Sequence, residues 1–188
     1  MPSQPPPLTP DVATLARLFY DVPESLGDFT EVAAGELPDT YRLLLAHDSH
    51  MTVSVEKFHD SPVRVRVLDK RVTPTHYARK IVLERQSDGR VVQFGIMRVN
   101  FTCVSLAVRD EIESEATPLG RILIRHDVLR QVRLCSLWRI AMGADLTRLF
   151  GLDGPGVTYG RTALIEFSGV PAVELIEIVS PVDGEESR

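Results

Sequence analysis

Cysteine is scarce in this chain of 188 residues: it contains Cys103 and Cys135, and they do not form a CxxC pair. The sequence therefore provides no disulfide framework and no cysteine pair for a zinc ion. We expect a reduced, cytoplasmic setting in which both thiols are small core residues. The spacing of His47, His50 and His59 fits no standard zinc arrangement. We predict no metal site and expect solvated surface histidines.

Long apolar runs are also missing. No run reaches the roughly 18 residues that a membrane-spanning helix needs. The N-terminal segment Met-Pro-Ser-Gln-Pro-Pro-Pro has neither the basic nor the apolar region of a signal peptide. The formal net charge is −5, which argues against non-specific nucleic-acid binding. We therefore expect neither a membrane nor a nucleic acid as a partner.

The sequence lacks the common motifs that bind nucleotides or activate a serine. It contains no GxGxxG, no GxxxxGK(S/T) and no GxSxG. Such turns hold phosphates on backbone N–H groups or expose a nucleophile. Nucleotide-binding and serine-hydrolase functions therefore lack their usual support.

The amino-acid composition is that of one globular domain. Hydrophobic residues make up 44% and charged residues 25%, which is enough for one core over this length. Residues 1–8 are proline-rich and expected to be disordered. Residues 9–182 are expected to form a single domain, and residues 183–188 a charged, frayed tail.

The hydrophobic pattern predicts an α+β fold. Thr9-Pro10-Asp11 is typical of a helix start, and Pro38 opens a second helix. Residues 21–36 are interpreted as a loop. About six strands follow, linked by hairpins or short helices without regular βαβ alternation, which predicts one antiparallel sheet with helices on one face or end. The predicted strands cover residues 63–67, 77–85, 91–101, 128–140, 157–167 and 171–179.

The strand predicted over residues 128–140 is expected to alternate without interruption. This pattern is typical of a half-buried strand in an antiparallel sheet. Its apolar face would contain Val132, Leu134, Trp138 and Ile140, and its polar face Arg133 and Arg139.

The strand over residues 77–85 places a charged side chain on its apolar face. Alternation puts Arg79 on the same face as Tyr77, Ile81 and Leu83. A buried guanidinium is costly unless an anion meets it. That anion could be a carboxylate of the protein or a carboxylate of a ligand.

The two closing strands repeat this pattern. Arg161 shares a face with Ile165, and Glu177 shares a face with Leu175, while Glu174 on the opposite face is a second candidate for burial. Two interpretations stay open. The buried arginines and a glutamate could form a structural ion pair, or they could line a site for an anionic small molecule with an acid/base group beside it.

Four segments form an ordered set of motifs over roughly residues 37 to 181. They are Leu43-Leu44-Leu45 with His50-Met51-Thr52; Arg79-Lys80-Ile81-Val82-Leu83; Thr117-Pro118-Leu119-Gly120-Arg121; and Tyr159-Gly160-Arg161 with Ser168-Gly169-Val170-Pro171 and Glu177-Ile178-Val179-Ser180-Pro181. Together they resemble the chorismate pyruvate-lyase family. The chain departs from the family pattern at His50, where serine is usual, and at Ser180, where an apolar residue is usual.

This resemblance implies a chorismate lyase-like fold, in which helical flaps cover an internal ligand cavity. It implies a cofactor-free carbon–oxygen lyase that converts chorismate to 4-hydroxybenzoate and pyruvate, with chorismate and hydroxybenzoate as its small-molecule partners. Carried over by position, Arg79 would bind the substrate carboxylate, and the backbone N–H groups of Met51 and Leu119 would hold ligand oxygens. Glu177 would be the acid/base group, so that Glu177 and Arg79 form the catalytic pair. Arg161 is a further predicted substrate-binding residue.

Proteins of another functional class have a similar fold. Effector-binding domains of some bacterial transcription regulators resemble the same fold and also hold small acids, but they normally follow a winged-helix DNA-binding domain. The first 36 residues are too short and not basic enough for such a domain, so the lyase is the main expectation. The alternative is a non-catalytic domain that binds small aromatic acids through the same arginine.

Overall fold

The structure is a computed structural model that describes residues 9–126 and 130–182. The tails predicted over residues 1–8 and 183–188 lie outside these ranges, and the single domain between them stays a prediction. The described part contains seven strands: β1 (Gly27–Val32), β2 (Val63–Val72), β3 (His76–Arg85), β4 (Val91–Asn100), β5 (Arg130–Met142), β6 (Val157–Phe167) and β7 (Val170–Val179).

The seven strands form one antiparallel sheet in the order β1-β5-β6-β7-β4-β3-β2. This confirms the predicted α+β class with a single antiparallel sheet. Six α-helices flank the sheet in the described ranges. They are α1 (Val12–Ala16), α2 (Asp39–Leu45), α3 (Met51–His59), α4 (Leu106–Glu113), α5 (Leu119–Arg125) and α6 (Ala144–Leu149).

Helices cover both faces of the sheet, whereas the sequence favoured one face or end. On one face, α1 and α6 pack on even-numbered residues of β4 and β7, such as Phe94 and Ile178. On the other face, α4 and α5 pack on Met97 and Leu175, while α2 and α3 pack on Leu83. Alternation along each strand therefore supplies apolar packing on both faces of the sheet.

The predicted alternation of β5 is wrong because the strand contains a bulge. The register with β6 shifts between Leu134 and Ser136, so one extra residue stands at position 135. Val132 therefore packs with α4 and α5, whereas Trp138 and Ile140 pack with α1 on the opposite face. A single inserted residue moves every later side chain of the strand to the opposite face of the sheet.

Two boundaries near the N-terminus also differ from the prediction. The helix start is capped by Asp11 instead of Thr9, because the Asp11 carboxylate accepts the N–H of Thr14 at 2.7 Å. Within the predicted loop over residues 21–36, β1 pairs with the end of β5. β1 is a short edge strand without an apolar alternation, so its pairing depends on backbone partners supplied by β5.

The hairpin between β6 and β7 sets the geometry of the buried charges. Ser168 and Gly169 have φ values of 51° and 80°, the left-handed conformation that two-residue hairpin turns require. The pairing then shifts by one residue between Ile165 and Glu166. This shift places Arg161 directly opposite Glu177.

Two remaining expectations concern the cysteines and membrane segments. Cys103 and Cys135 are both free thiols and only partly buried, so they are less enclosed than core residues. No helix in the described ranges is long and apolar enough to cross a membrane.

Candidate functional site

An internal cavity of about 50 Å³ lies between the sheet and the first turns of α3 and α5. Its floor includes Ile81, Gly95 and Glu177, which stand side by side on β3, β4 and β7. The position of helices over an internal cavity agrees with the expected fold. Apolar side chains form much of the wall, among them Leu83, Met97, Leu119, Ile165 and Leu175.

Arg79 supplies a positive charge to this cavity. The residue is 1% exposed, and it lies on the predicted face of β3. Its Nη2 donates to the carbonyl oxygen of Thr117 at 3.4 Å, which is a long contact. Its Nε and Nη1 are buried and have no hydrogen-bond partner among the described residues. Because unpaired buried donors cost free energy, these nitrogens are suited to an anion.

The acid whose charge acts on Arg79 is bound by other side chains. Glu115 accepts hydrogen bonds from Nζ of Lys70 at 2.5 Å and from the hydroxyl of Tyr77 at 3.2 Å. Burial lowers the pKa of the Arg79 guanidinium, and Tyr77 and Glu115 oppose that change. Within the described ranges no ion pair joins Glu115 to Arg79.

Glu177 lines the same cavity, but a second arginine binds its carboxylate. Arg161 donates from Nε to Oε2 of Glu177 at 2.8 Å. The fully buried Arg161 also donates to the carbonyl oxygens of His47 at 2.7 Å and Ser49 at 2.9 Å. This ion pair therefore connects β6 and β7 to the loop that precedes α3.

The structure thus gives different environments to two arginines that occupy similar strand positions in the sequence. Arg161 and Glu177 form the structural ion pair, whereas Arg79 faces the cavity with two unbonded nitrogens. Arg161 is not among the residues that line the cavity, and its contact with a ligand stays a prediction. Glu174, the second candidate acid, is half-buried and pairs with Nη2 of Arg98 at 2.5 Å.

Met51 and Leu119 line the cavity as the first residues of α3 and α5. The first amides of a helix have no intrahelical acceptor. The two helices meet at Gly120, where an added Cβ would lie 3.0 Å from the Cβ of His50. The predicted positions of both amides therefore agree with the cavity, while their role with a ligand stays a prediction.

Gln93 is a cavity residue that the sequence interpretation missed. It is 3% exposed, and its Oε1 is buried without a hydrogen-bond partner among the described residues. It stands opposite Leu83 of β3 on the face that carries Arg79. The signal that identified Arg79, a polar residue on an apolar strand face, applies equally to Gln93 in the predicted strand over residues 91–101.

His47 is half-buried and hydrogen-bonded, which differs from a solvated surface histidine. The N–H of Ser49 donates to its Nδ1 at 3.1 Å, and Nη1 of Arg161 lies 3.2 Å from the same atom. Burial, and then the charge of Arg161, lowers the pKa of this imidazole. In residues 9–126 and 130–182 no group of three His, Cys, Asp or Glu side chains is arranged to hold a metal ion.

Comparison with known proteins identifies similar folds. No protein-family model and no curated protein matches the sequence. Solved structures do match. YydK from Bacillus subtilis, a possible transcriptional regulator, is 12% identical over 65% of this chain and 59% of its own, with a TM-score of 0.51. The gene product SA0254 from Staphylococcus aureus is 10% identical over 73% of this chain and 92% of its own, with a TM-score of 0.51.

A third structure, PhnF from Mycobacterium smegmatis, is 11% identical over 76% of this chain and 67% of its own, with a TM-score of 0.50. At such identities the similarity concerns the fold. The fold is chorismate lyase-like. The chain spans about 59% of the length of YydK.

These comparisons correct the expectation of an enzyme. YydK is described as a possible transcriptional regulator, and the comparison gives no support for chorismate lyase itself. The expected carbon–oxygen lyase is therefore wrong, while the acid/base role of Glu177 is not tested by these comparisons and stays a prediction. The contacts of Glu177 provide a physical reason for its burial that needs no catalysis, because Arg161 compensates its charge.

Proposed function

We propose that this chain is a non-catalytic domain that binds a small organic acid in the cavity at Arg79. One observation carries the proposal: a 1% exposed guanidinium with two unbonded nitrogens lines the cavity. A carboxylate can accept two parallel hydrogen bonds from such a group. The ion pair between Arg161 and Glu177 leaves Arg79 as the cation that a ligand would neutralise.

The walls of the cavity suit an apolar ligand body. Apolar side chains from four strands and from α3 and α5 surround the space above Gly95. Ligand sites commonly combine such a lining with a small number of placed polar groups. A small aromatic acid has this division, with a flat apolar ring and one charged end.

Binding requires the cavity to widen. Its volume of about 50 Å³ accommodates only a few water molecules. The first turns of α3 and α5 close over it, and an ion pair between Arg121 and Glu56 at 2.6 Å joins these helices. Because that pair is partly exposed, its free energy is small, about 0–1 kcal/mol, and separating the helices costs little at this contact.

The test is calorimetric titration with benzoate and with its uncharged counterpart benzamide. We expect benzoate to bind at least about 10-fold more tightly than benzamide, and Arg79→Met to lose about 10- to 100-fold in benzoate affinity. Arg98→Met is the matched control, because Arg98 pairs with Glu174 and does not line the cavity. Equal binding of benzoate to the wild type and Arg79→Met would contradict the proposal.

A further inference from the structure

Gln93 is a polar residue of the cavity that neither the ion pair nor the proposed anchor at Arg79 uses. Its side chain is buried, with 3% exposure, and it lines the cavity. Its neighbours across the sheet are apolar: Leu83 on β3 and Val179 on β7. Its Oε1 has no hydrogen-bond partner among the described residues.

Such a position is costly for an amide. A buried polar atom without a partner loses its hydration and gains no bond in exchange. A methionine would fill nearly the same volume on this strand without that cost. The amide is therefore best explained by a partner that the protein itself does not supply.

The register places Gln93 at the opposite end of the cavity from Arg79. Arg79 stands opposite Met97, and Gln93 precedes Met97 by four residues on β4. At a rise of about 3.3 Å per residue, the backbones of Met97 and Gln93 are about 13 Å apart. Between them stand Ile81, Gly95 and Glu177, and the Glu177 carboxylate is already paired with Arg161. A cation and a neutral amide thus stand at the two ends of this floor.

We propose that Gln93 is a specificity-determining residue, which binds a neutral hydrogen-bonding group at the end of the ligand remote from its acid group. This inference rests on the proposed anion site at Arg79. An amide offers one acceptor and two donors but no charge. It suits a hydroxyl, which both donates and accepts, and it disfavours a second carboxylate. The ligand class is therefore a hydroxylated organic monoacid.

The experiment compares benzoate, 3-hydroxybenzoate and 4-hydroxybenzoate by calorimetry with the full chain. We expect the wild type to bind one hydroxylated probe about 10-fold more tightly than benzoate, which corresponds to one good hydrogen bond. In Gln93→Met this ratio of affinities should fall to about one. Gln86→Met is the matched control, since Gln86 bonds the carbonyl of Val63 outside the cavity and should retain the ratio.

A preference for the hydroxylated probe that persists in Gln93→Met would overturn the inference, as would the absence of any preference in the wild type. The proposed function has a separate readout, the loss of benzoate binding in Arg79→Met. If that loss is observed and the ratio does not depend on residue 93, the anion site stands and the inference about Gln93 fails. If none of the three probes binds the wild type, both fail.

A measurement without any ligand tests the same claim. Because Gln93→Met removes an unpaired buried amide, the melting temperature should rise by about 2–4 °C. A lower melting temperature would show that the amide makes a stabilising bond within the protein, which would overturn its assignment to a ligand. This arm needs no knowledge of the natural ligand.

Discussion

Arg161 donates from Nε to Oε2 of Glu177 at 2.8 Å, across the two strands of the closing hairpin. The same guanidinium donates to two carbonyl oxygens of the loop before α3. The pair therefore holds Glu177 in place in the floor of the cavity, and its charges compensate each other. The cavity retains the charge of Arg79, on which the proposed function depends.

The first prediction concerns this ion pair. Glu177→Leu leaves the fully buried Arg161 without its carboxylate, so the free energy of unfolding should fall by about 3–5 kcal/mol. The double variant Glu177→Leu/Arg161→Met removes both charges and should recover part of that loss. Urea unfolding measures both values. A cost below about 1 kcal/mol for Glu177→Leu would show that the pair is not a structural element.

Replacement of Arg79 should have the opposite effect on the free energy of unfolding. Its Nε and Nη1 are buried and unbonded among the described residues, so Arg79→Met removes two unpaired buried donors. The free energy of unfolding without ligand should rise by about 1–3 kcal/mol, measured by urea unfolding. Arg161→Met is the comparison and should be destabilising. If both arginines stabilise the fold equally, the distinction between them is wrong.

Gly95 allows a test of the cavity itself. It stands between Ile81 and Glu177, and an added Cβ would lie 3.4 Å from the carbonyl oxygen of Ile176 and 3.5 Å from Cγ1 of Ile81. These are ordinary contacts, so Gly95→Ala should be tolerated and should raise the free energy of unfolding by about 0.5–1 kcal/mol. Gly95→Val should fill the floor and abolish benzoate binding in calorimetry. Unchanged binding in Gly95→Val would place the ligand elsewhere.

His47 should make stability depend on pH. Its pKa is lowered in the folded state, so the unfolded chain binds more protons as the pH falls below the ordinary imidazole value. Its contribution to stability is therefore present above about pH 6.5 and is lost as the pH falls through the lowered pKa of the folded state. Melting temperatures between pH 7.5 and pH 5 should fall less steeply in His47→Gln than in the wild type.

Two further histidines define the control for this experiment. Burial also lowers the pKa of His59, so part of the slope should persist in His47→Gln. His76 is exposed, and His76→Gln should leave the slope of the wild type unchanged. Identical slopes for His47→Gln and the wild type would show that the protonation of His47 is not coupled to folding.

Much of this fold follows from local sequence patterns. Period-two alternation identified the apolar face of β3, and the structure confirms that Arg79, Ile81 and Leu83 share it. The turn at Ser168 and Gly169 falls in the gap between the strands predicted over residues 157–167 and 171–179. Such features depend on neighbours in the sequence, which is why one sequence is sufficient to predict them.

The remaining features depend on contacts between distant segments. The bulge at Cys135 exchanges the faces of β5, and no residue type in that strand signals it. Likewise, the partner of Glu177 is decided by a register shift in the hairpin of β6 and β7. The sequence therefore indicated two buried arginines and a buried glutamate, but it could not determine which arginine meets the glutamate.

The most direct measurement follows the Nε–H resonance of Arg79 by 15N NMR during a titration with benzoate. The resonance is assigned by its absence in Arg79→Met. Because Nε has no hydrogen-bond partner among the described residues, we predict that benzoate shifts its signal progressively to a saturated value and that benzamide does not. Saturable binding of benzoate that leaves the Arg79 signal unmoved, or no response to benzoate at all, would contradict the account.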